Sequence, residues 1–309
     1  MQQISFRAMN CNMMAAVDHD GPRVAQRLEQ VPNWFALWEQ RLSRFRPDSE
    51  LSQINLSAGQ DVGISSVMQE VLHSALRASR VSGGMVTPTV LGALEAAGYN
   101  RSFDELREEA PGQVQSVCGW ETNTTAIPTV ELNTHARTVR LAPGTRLDLG
   151  GIAKGWAADR AAHHLRRLGP SLVNAGGDIA VTAPMQDGEP WPIGVINPFD
   201  PEKDTDILLV YQGGVATSGR DYRRWMKDKL WQHHIIDPRS GQPAQTDVLT
   251  ATVVAPSAQA AEIAAKVVLI AGSSQGIEWL DQRPDYAGLV VLEDGEKIQS
   301  HRWMDYVWR

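Results

Sequence analysis

Helix-period and strand-period segments are mixed along this chain without a regular βαβ rhythm. That pattern predicts an α+β architecture of mixed sheets and packed helices rather than a doubly wound parallel sheet. "PRVAQRLEQVPNWFALWEQRLSRF" has helical period but carries Pro32 in its middle, which predicts a helix with an interrupted start. "SSVMQEVLHSALRASRVSGG" is a cleaner amphipathic helix that should stop at Gly83 and Gly84. The stretch from Asn100 to Gly119, with its acidic run, reads as a surface excursion. "TVELNTHARTVRLAPGTRLDLGG" then alternates as strand, turn, strand, and "GIAKGWAADRAAHHLRRLG" reads as a helix. A strand "SLVNAGGDIAVTA" and further strands lead to a closing helix, "SAQAAEIAAKVVLIAG". That last segment is apolar except for Glu262 and Lys266 in its middle, and the two charges need a reason.

A chain of 309 residues can bury a substantial core as one large domain or two lobes. We take residues 4–300 as a single domain of undefined internal boundary and 301–309 as a C-terminal tail. The net charge of −7 gives no electrostatic reason to expect nucleic acid or an anionic membrane as the main partner. No apolar run approaches the roughly 20 residues of a membrane span. The opening "MQQISFRAMNCNMMAAV" lacks the basic and apolar regions of a secretory signal. Cys11 and Cys118 are too few for a disulfide framework and lack CxxC spacing, so a reduced, cytoplasmic setting is expected.

Several stretches suggest chemistry, each weakly by itself. In "LDLGGIAKGWAADRAA", Asp148, Gly150 and Gly151 stand where a strand hands over to a helix. Glycines there allow close backbone approach, and a helix N-terminus offers N–H groups to phosphate; an ordinary capped turn explains the same residues. In "LVNAGGDIAV", Gly176 and Gly177 interrupt a strand ahead of Asp178, as a bulge or a close approach would. His234, in "HHIIDPRSGQPA", could stand at a strand edge beside a polar loop and accept a proton near neutral pH. There is no Walker loop, no GxGxxG after a strand and no GxSxG elbow.

Taken in order, "MN" at Met9, "RFRPDSELSQIN", "TPTVLGAL", "LDLGGIAKGWAAD", "VNAGGDIAV", "ATSGRDYRRW", "HHIIDPRSGQP" and "TATVVAPSAQAAEIAAKVVLIAG" resemble the ApbE family of FAD:protein FMN transferases. The resemblance covers almost the whole chain. It implies an α+β fold with an FAD cleft, and transfer of the FMN half of FAD to a Thr or Ser hydroxyl of an acceptor protein, with AMP leaving. It places Asp148 and Lys154 in the flavin-nucleotide site, with Met9, Phe45, Leu249 and the stretch Met85, Val86 and Thr87 also on the cofactor. It makes His234 the residue that assists proton removal.

The departures from the family pattern bear on the metal. The family's closing helix usually carries an Asp and, four residues on, a Thr, which bind Mg²⁺ with a main-chain oxygen from the "DLGGIAKG" turn. The matching residues here are Glu262, Lys266 and Gly151. Thr87 stands where an acidic residue is common, and Phe45 where a Tyr is usual. Glu can replace Asp as an oxygen donor, but an ammonium has three donors and no acceptor, so Lys266 cannot ligate Mg²⁺. This puts the metal in question. Two readings of the pair stand: a solvated i, i+4 pair worth about 0.2–0.5 kcal/mol, or a Lys266 steadied by Glu262 that puts its charge where the family holds Mg²⁺. Two functions follow in turn. One is an FMN transferase with an altered metal site; the other is an ApbE-like protein that binds intact FAD as carrier or redox cofactor.

Overall fold

The computed structural model describes residues 1–108 and 129–309. Part of the predicted surface excursion, and Cys118 with it, lies outside those residues. The described chain divides into two compact units, Met1–Ala36 with Lys154–Asp221 and Thr246–Arg309, and Leu37–Ala153 with Tyr222–Gln245.

The first unit is built on an eight-stranded sheet: β1 (Gln2–Ala8), β2 (Cys11–Val17), β3 (Ser171–Ala175), β4 (Asp178–Val181), β5 (Gly213–Gly219), β6 (Val248–Ala255), β7 (Ala287–Leu292) and β8 (Lys297–Gln299). Spatial order equals chain order, and every neighbouring pair is antiparallel. The second unit enters this meander as two insertions, one between β2 and β3 and one between β5 and β6. Two of the hairpin turns are two residues long with both residues at positive φ: Met9 and Asn10 at 49° and 56°, and Gly176 and Gly177 at 65° and 96°. Such turns match the right-handed twist of the strands they join. The glycine pair predicted to interrupt one strand is therefore a hairpin turn between two, and it delivers Asp178 to the start of β4.

Buried Val181, Val215, Val254, Leu289 and Val291 pack on the hairpin Trp191–Asn197/Asp200–Val210 through Trp191, Ile193, Val195, Leu208 and Val210. Residues 301–309, set apart in the sequence as a tail, bring fully buried Trp303 into the same core, where its indole N–H donates to Asp206 at 2.9 Å. The helices α1 (Ala153–Leu165), α2 (Ala258–Ala271) and α3 (Ser273–Asp281) complete the unit, with α2 against β5 and β6 and α3 against β7. Helix α2 is buried on almost every side, and each of its fully buried Val267, Val268 and Leu269 contributes about 1.5–3 kcal/mol. Its first turn is capped twice: Ser257 Oγ accepts from the Ala260 N–H, and the Asp159 carboxylate of α1 accepts from the N–H groups of Ala258 and Gln259 at 2.9 and 3.0 Å.

The second unit carries the helices Glu50–Leu56, Ser66–Val81 and Leu91–Ala96, and a three-stranded sheet with Thr138–Leu141 between Asp61–Gly63 and Val130–Asn133. Ser66–Val81 starts at a Ser65 cap and stops before Gly83 and Gly84, both at positive φ, as its sequence predicts. The segment with Pro32 is two helices, Pro22–Leu28 and Val31–Leu42, and the proline sits in the first turn of the second, where its missing N–H costs nothing. Among the described residues no helix is long and apolar enough to cross a membrane.

Helix α1 meets α2 at Gly155, where an added Cβ would lie 2.7 Å from the Gln259 Cα and 2.9 Å from the Ala258 carbonyl oxygen. Backbone on both sides cannot give way. Gly155→Ala should therefore lower stability by about 1–3 kcal/mol in urea denaturation, and an unchanged midpoint would show that the contact is looser than described.

Candidate functional site

Four charged side chains converge inside the first unit. Lys154 comes from the first turn of α1, Asp178 from the start of β4, and Glu262 and Lys266 from successive turns of α2. Glu262 is 1% exposed and Asp178 2%, so this is no solvated surface pair. Lys154 Nζ pairs with the Asp178 carboxylate and lies 3.5 Å from Glu262 Oε1; Lys266 Nζ donates to the same Oε1 at 3.2 Å. The Gly155 N–H donates to Glu262 Oε2 at 3.0 Å. Two ammonium groups thus balance two carboxylates.

The two acids respond oppositely to one environment. Burial would raise Glu262, but Lys266, Lys154 and the Gly155 N–H outweigh it and hold the carboxyl below its ordinary value. Asp178 is pushed up to about 6 by burial and then by the Glu262 charge, against the pull of Lys154 and Lys266. Glu262 is the fixed anion of the cluster and Asp178 the one that takes a proton first.

This arrangement does not fit Mg²⁺. Both Glu262 oxygens are engaged by donors, two ammonium groups stand within 3.5 Å of one of them, and Lys266 has no acceptor to offer. Among the described residues no group of three or more His, Cys, Asp or Glu could hold a metal ion. Lys266 keeps N–H capacity in reserve: its side chain is 15% exposed, Glu262 is its partner among the described residues, and an ammonium has three N–H groups.

Of the remaining residues singled out in the sequence, Met9 is in the β1–β2 turn, and Leu249 lies at the bulge where β6 shifts register between Val248 and Thr250. Both belong to the first unit, with Lys154, Glu262 and Lys266. Phe45, Met85, Val86, Thr87, Asp148, Gly151 and His234 belong to the second. There Asp148 forms an ion pair with Arg44, its Oδ2 2.7 Å from Nε, while Oδ1 accepts from the Gly150 N–H at 2.9 Å. Arg44 also lies 4.1 Å over the Phe45 ring and 4.6 Å over that of Tyr99, and donates to the Tyr99 carbonyl oxygen. Asn55 pins the backbone ahead of Asp148 by bonding both the N–H and C=O of Leu147, and the Asp148 N–H donates to the Pro88 carbonyl oxygen at 2.8 Å. That bond ties the aspartate to the stretch Met85, Val86, Thr87; the Thr87 hydroxyl is 3.0 Å from that of Thr89, and the Val86 N–H donates to Ser82 Oγ. Gly151 stands in the turn ahead of α1. His234 is half-buried in the bend after the strand Leu230–His233; its neighbour His233 is held by the Ala244 carbonyl oxygen at 3.1 Å and by the Ile235 N–H.

Sequence reasoning missed Asp178 and Arg44 as parts of these arrangements. A carboxylate directly after a Gly-Gly turn and ahead of an apolar strand was a usable signal for the first. The second had none beyond standing next to Phe45.

A model of the ApbE family matches residues 9–290. The chain is similar to the FAD:protein FMN transferase of Salmonella typhimurium, 25% identical over 94% of this chain and 83% of that protein. It is also similar to that of Treponema pallidum, 29% identical over 92% and 82%. Among solved structures it matches the ApbE protein of Thermotoga maritima, TM-score 0.82 at 24% identity over 100% and 99% of the two chains. It likewise matches the flavin transferase ApbE of Vibrio cholerae, TM-score 0.77 at 23% identity over 99% of each. The mixed α+β fold is that of these structures.

The raised Asp178 gives the cluster a measurable signature. Its folded value of about 6 lies above the 3.8 of an unperturbed carboxyl, so the folded chain binds this proton more tightly and gains stability from the group as pH falls from 7 towards 4. Asp178→Asn cannot ionise and loses that slope. Denaturation at several pH values should find the stability difference moving in favour of the unaltered chain by roughly 1–3 kcal/mol across this window; a constant difference would mean that Asp178 titrates normally.

Proposed function

This chain belongs to the ApbE family, and we propose that it binds FAD and passes the FMN half to a Thr or Ser hydroxyl of an acceptor protein. The observation that carries this reading is the match to that family over residues 9–290, a range that includes Asp148, Lys154, His234 and the glycine turns. In the reaction the acceptor hydroxyl loses its proton and its oxygen attacks the phosphorus on the FMN side of the diphosphate. A new phosphoester bond forms, the bridging P–O bond breaks, and AMP leaves with the bridging oxygen. The protein's tasks are alignment, charge compensation and removal of one proton.

His234 is our candidate for the proton. Its place in a bend between two short strands, half-buried beside a histidine locked by backbone groups, suits a base of fixed position. Asp148, held by Arg44 and Gly150, and Phe45, stacked under Arg44, offer the nucleotide a preset polar and aromatic surface. No step is assigned to a divalent ion, because the side chains at the family's metal positions do not suit one.

That mismatch favours a second reading, in which the chain keeps FAD whole as a carrier or redox cofactor. The specific observation is that Lys266 is paired with Glu262 and carries a single positive charge, so charge compensation during P–O cleavage falls to a monovalent ammonium.

Incubation with FAD and an acceptor protein modified by the Salmonella relative separates the two. Transfer predicts AMP and an acceptor carrying covalent FMN. His234→Ala should slow it by about 10²–10⁴-fold with FAD affinity unchanged. Intact FAD recovered quantitatively from protein that binds it would exclude transfer and leave the carrier.

A further inference from the structure

We infer that Lys266 is a built-in cation for the diphosphate of the ligand, which this chain binds without a divalent metal. The inference rests on the reading that the chain binds FAD, and it adds how the charge of that ligand is met.

Lys154 and Lys266 are not equivalent. Lys154 lies between two buried carboxylates, Asp178 and Glu262, and neutralises charge that the fold has already taken out of water. Lys266 forms its ion pair with Glu262 alone among the described residues. Glu262 is itself held at both oxygens: the Gly155 N–H donates to one, and the other faces both ammonium groups. A lysine ordinarily loses much rotamer freedom when it clasps a ligand. Here the i, i+4 contact to a pinned carboxylate has set the side chain beforehand, so less entropy remains to be lost on binding.

The chemistry then selects the kind of ligand. A largely buried ammonium with N–H groups to spare needs acceptor oxygens and repels cations. Of the parts of FAD, the diphosphate alone combines negative charge with acceptors on every side, and hydrogen bonds between ionised partners are the strong ones. The flavin ring also has acceptors, but it is neutral. Riboflavin, which has the ring without phosphate, therefore distinguishes the two.

The experiment follows flavin fluorescence in titrations of FAD and of riboflavin, with EDTA and with added Mg²⁺, for the unaltered chain, Lys266→Met and Lys266→Arg. FAD affinity of the unaltered chain should differ by less than about twofold between EDTA and Mg²⁺. Lys266→Met should weaken FAD about 10- to 100-fold, about 1.4–2.8 kcal/mol, and leave riboflavin within about twofold. Lys266→Arg should retain most of the FAD affinity. FAD binding that needs Mg²⁺ overturns the inference while leaving FAD binding itself in place. So does a Lys266→Met variant with unchanged affinity, or one that loses riboflavin as strongly as FAD. A folded, unaltered chain that binds no FAD at tens of micromolar sinks the functional reading itself. Circular dichroism establishes folding of each variant, and if Lys266→Met does not fold, the metal titration and Lys266→Arg decide.

Discussion

An ionised carboxylate cannot be left in a protein interior unless other groups do the work of the lost water. Glu262 is such a carboxylate, placed on a helix that is otherwise apolar and buried. Three donors meet it: Lys266 from the next turn, Lys154 and the Gly155 N–H from the start of α1. Because Lys154 also holds Asp178 at the head of β4, one residue's need for partners fixes two helices and a strand in register with each other. Removing either lysine would leave charge uncompensated, a cost of order 3–5 kcal/mol when buried pairs are broken.

The packing around the cluster serves the same end. Gly155 lets α1 come close enough for its N–H to reach Glu262, and the Asp159 carboxylate on α1 caps the first turn of α2. Asp159 is itself raised by burial, although the N–H groups of Gln259 and Ala258 oppose the shift. Helix α1 thus approaches α2 both through backbone at a glycine and through a carboxylate at a helix start. Charge, cap and close approach come from six consecutive residues, Lys154 to Asp159.

Much of the architecture could be read from sequence because it rests on local periodicity. The α+β class, the helix ending before Gly83 and the apolar helix with two charges are examples. Other features depended on partners far along the chain. The i, i+4 spacing of Glu262 and Lys266 is the same for a surface pair and for a buried one, and only tertiary burial decides between them. The Gly176–Gly177 pair suits a bulge or a hairpin turn alike, so Asp178 stayed unassigned until its lysine, 24 residues earlier, was beside it. Arg44 and Asp148 pair across an even longer separation. The eight ordered stretches still identified the family, because their order depends on the whole chain rather than on any local rule.

In our proposal a lysine, not a divalent ion, faces the ligand's charge at helix α2. A crystal structure of the FAD complex grown with Mn²⁺, with diffraction measured at the manganese edge, tests it most directly. Lys266 Nζ should lie within about 3 Å of a diphosphate oxygen, still bonded to Glu262, with no anomalous peak at that carboxylate. Manganese bound to a Glu262 oxygen, with Lys266 turned aside, would contradict it.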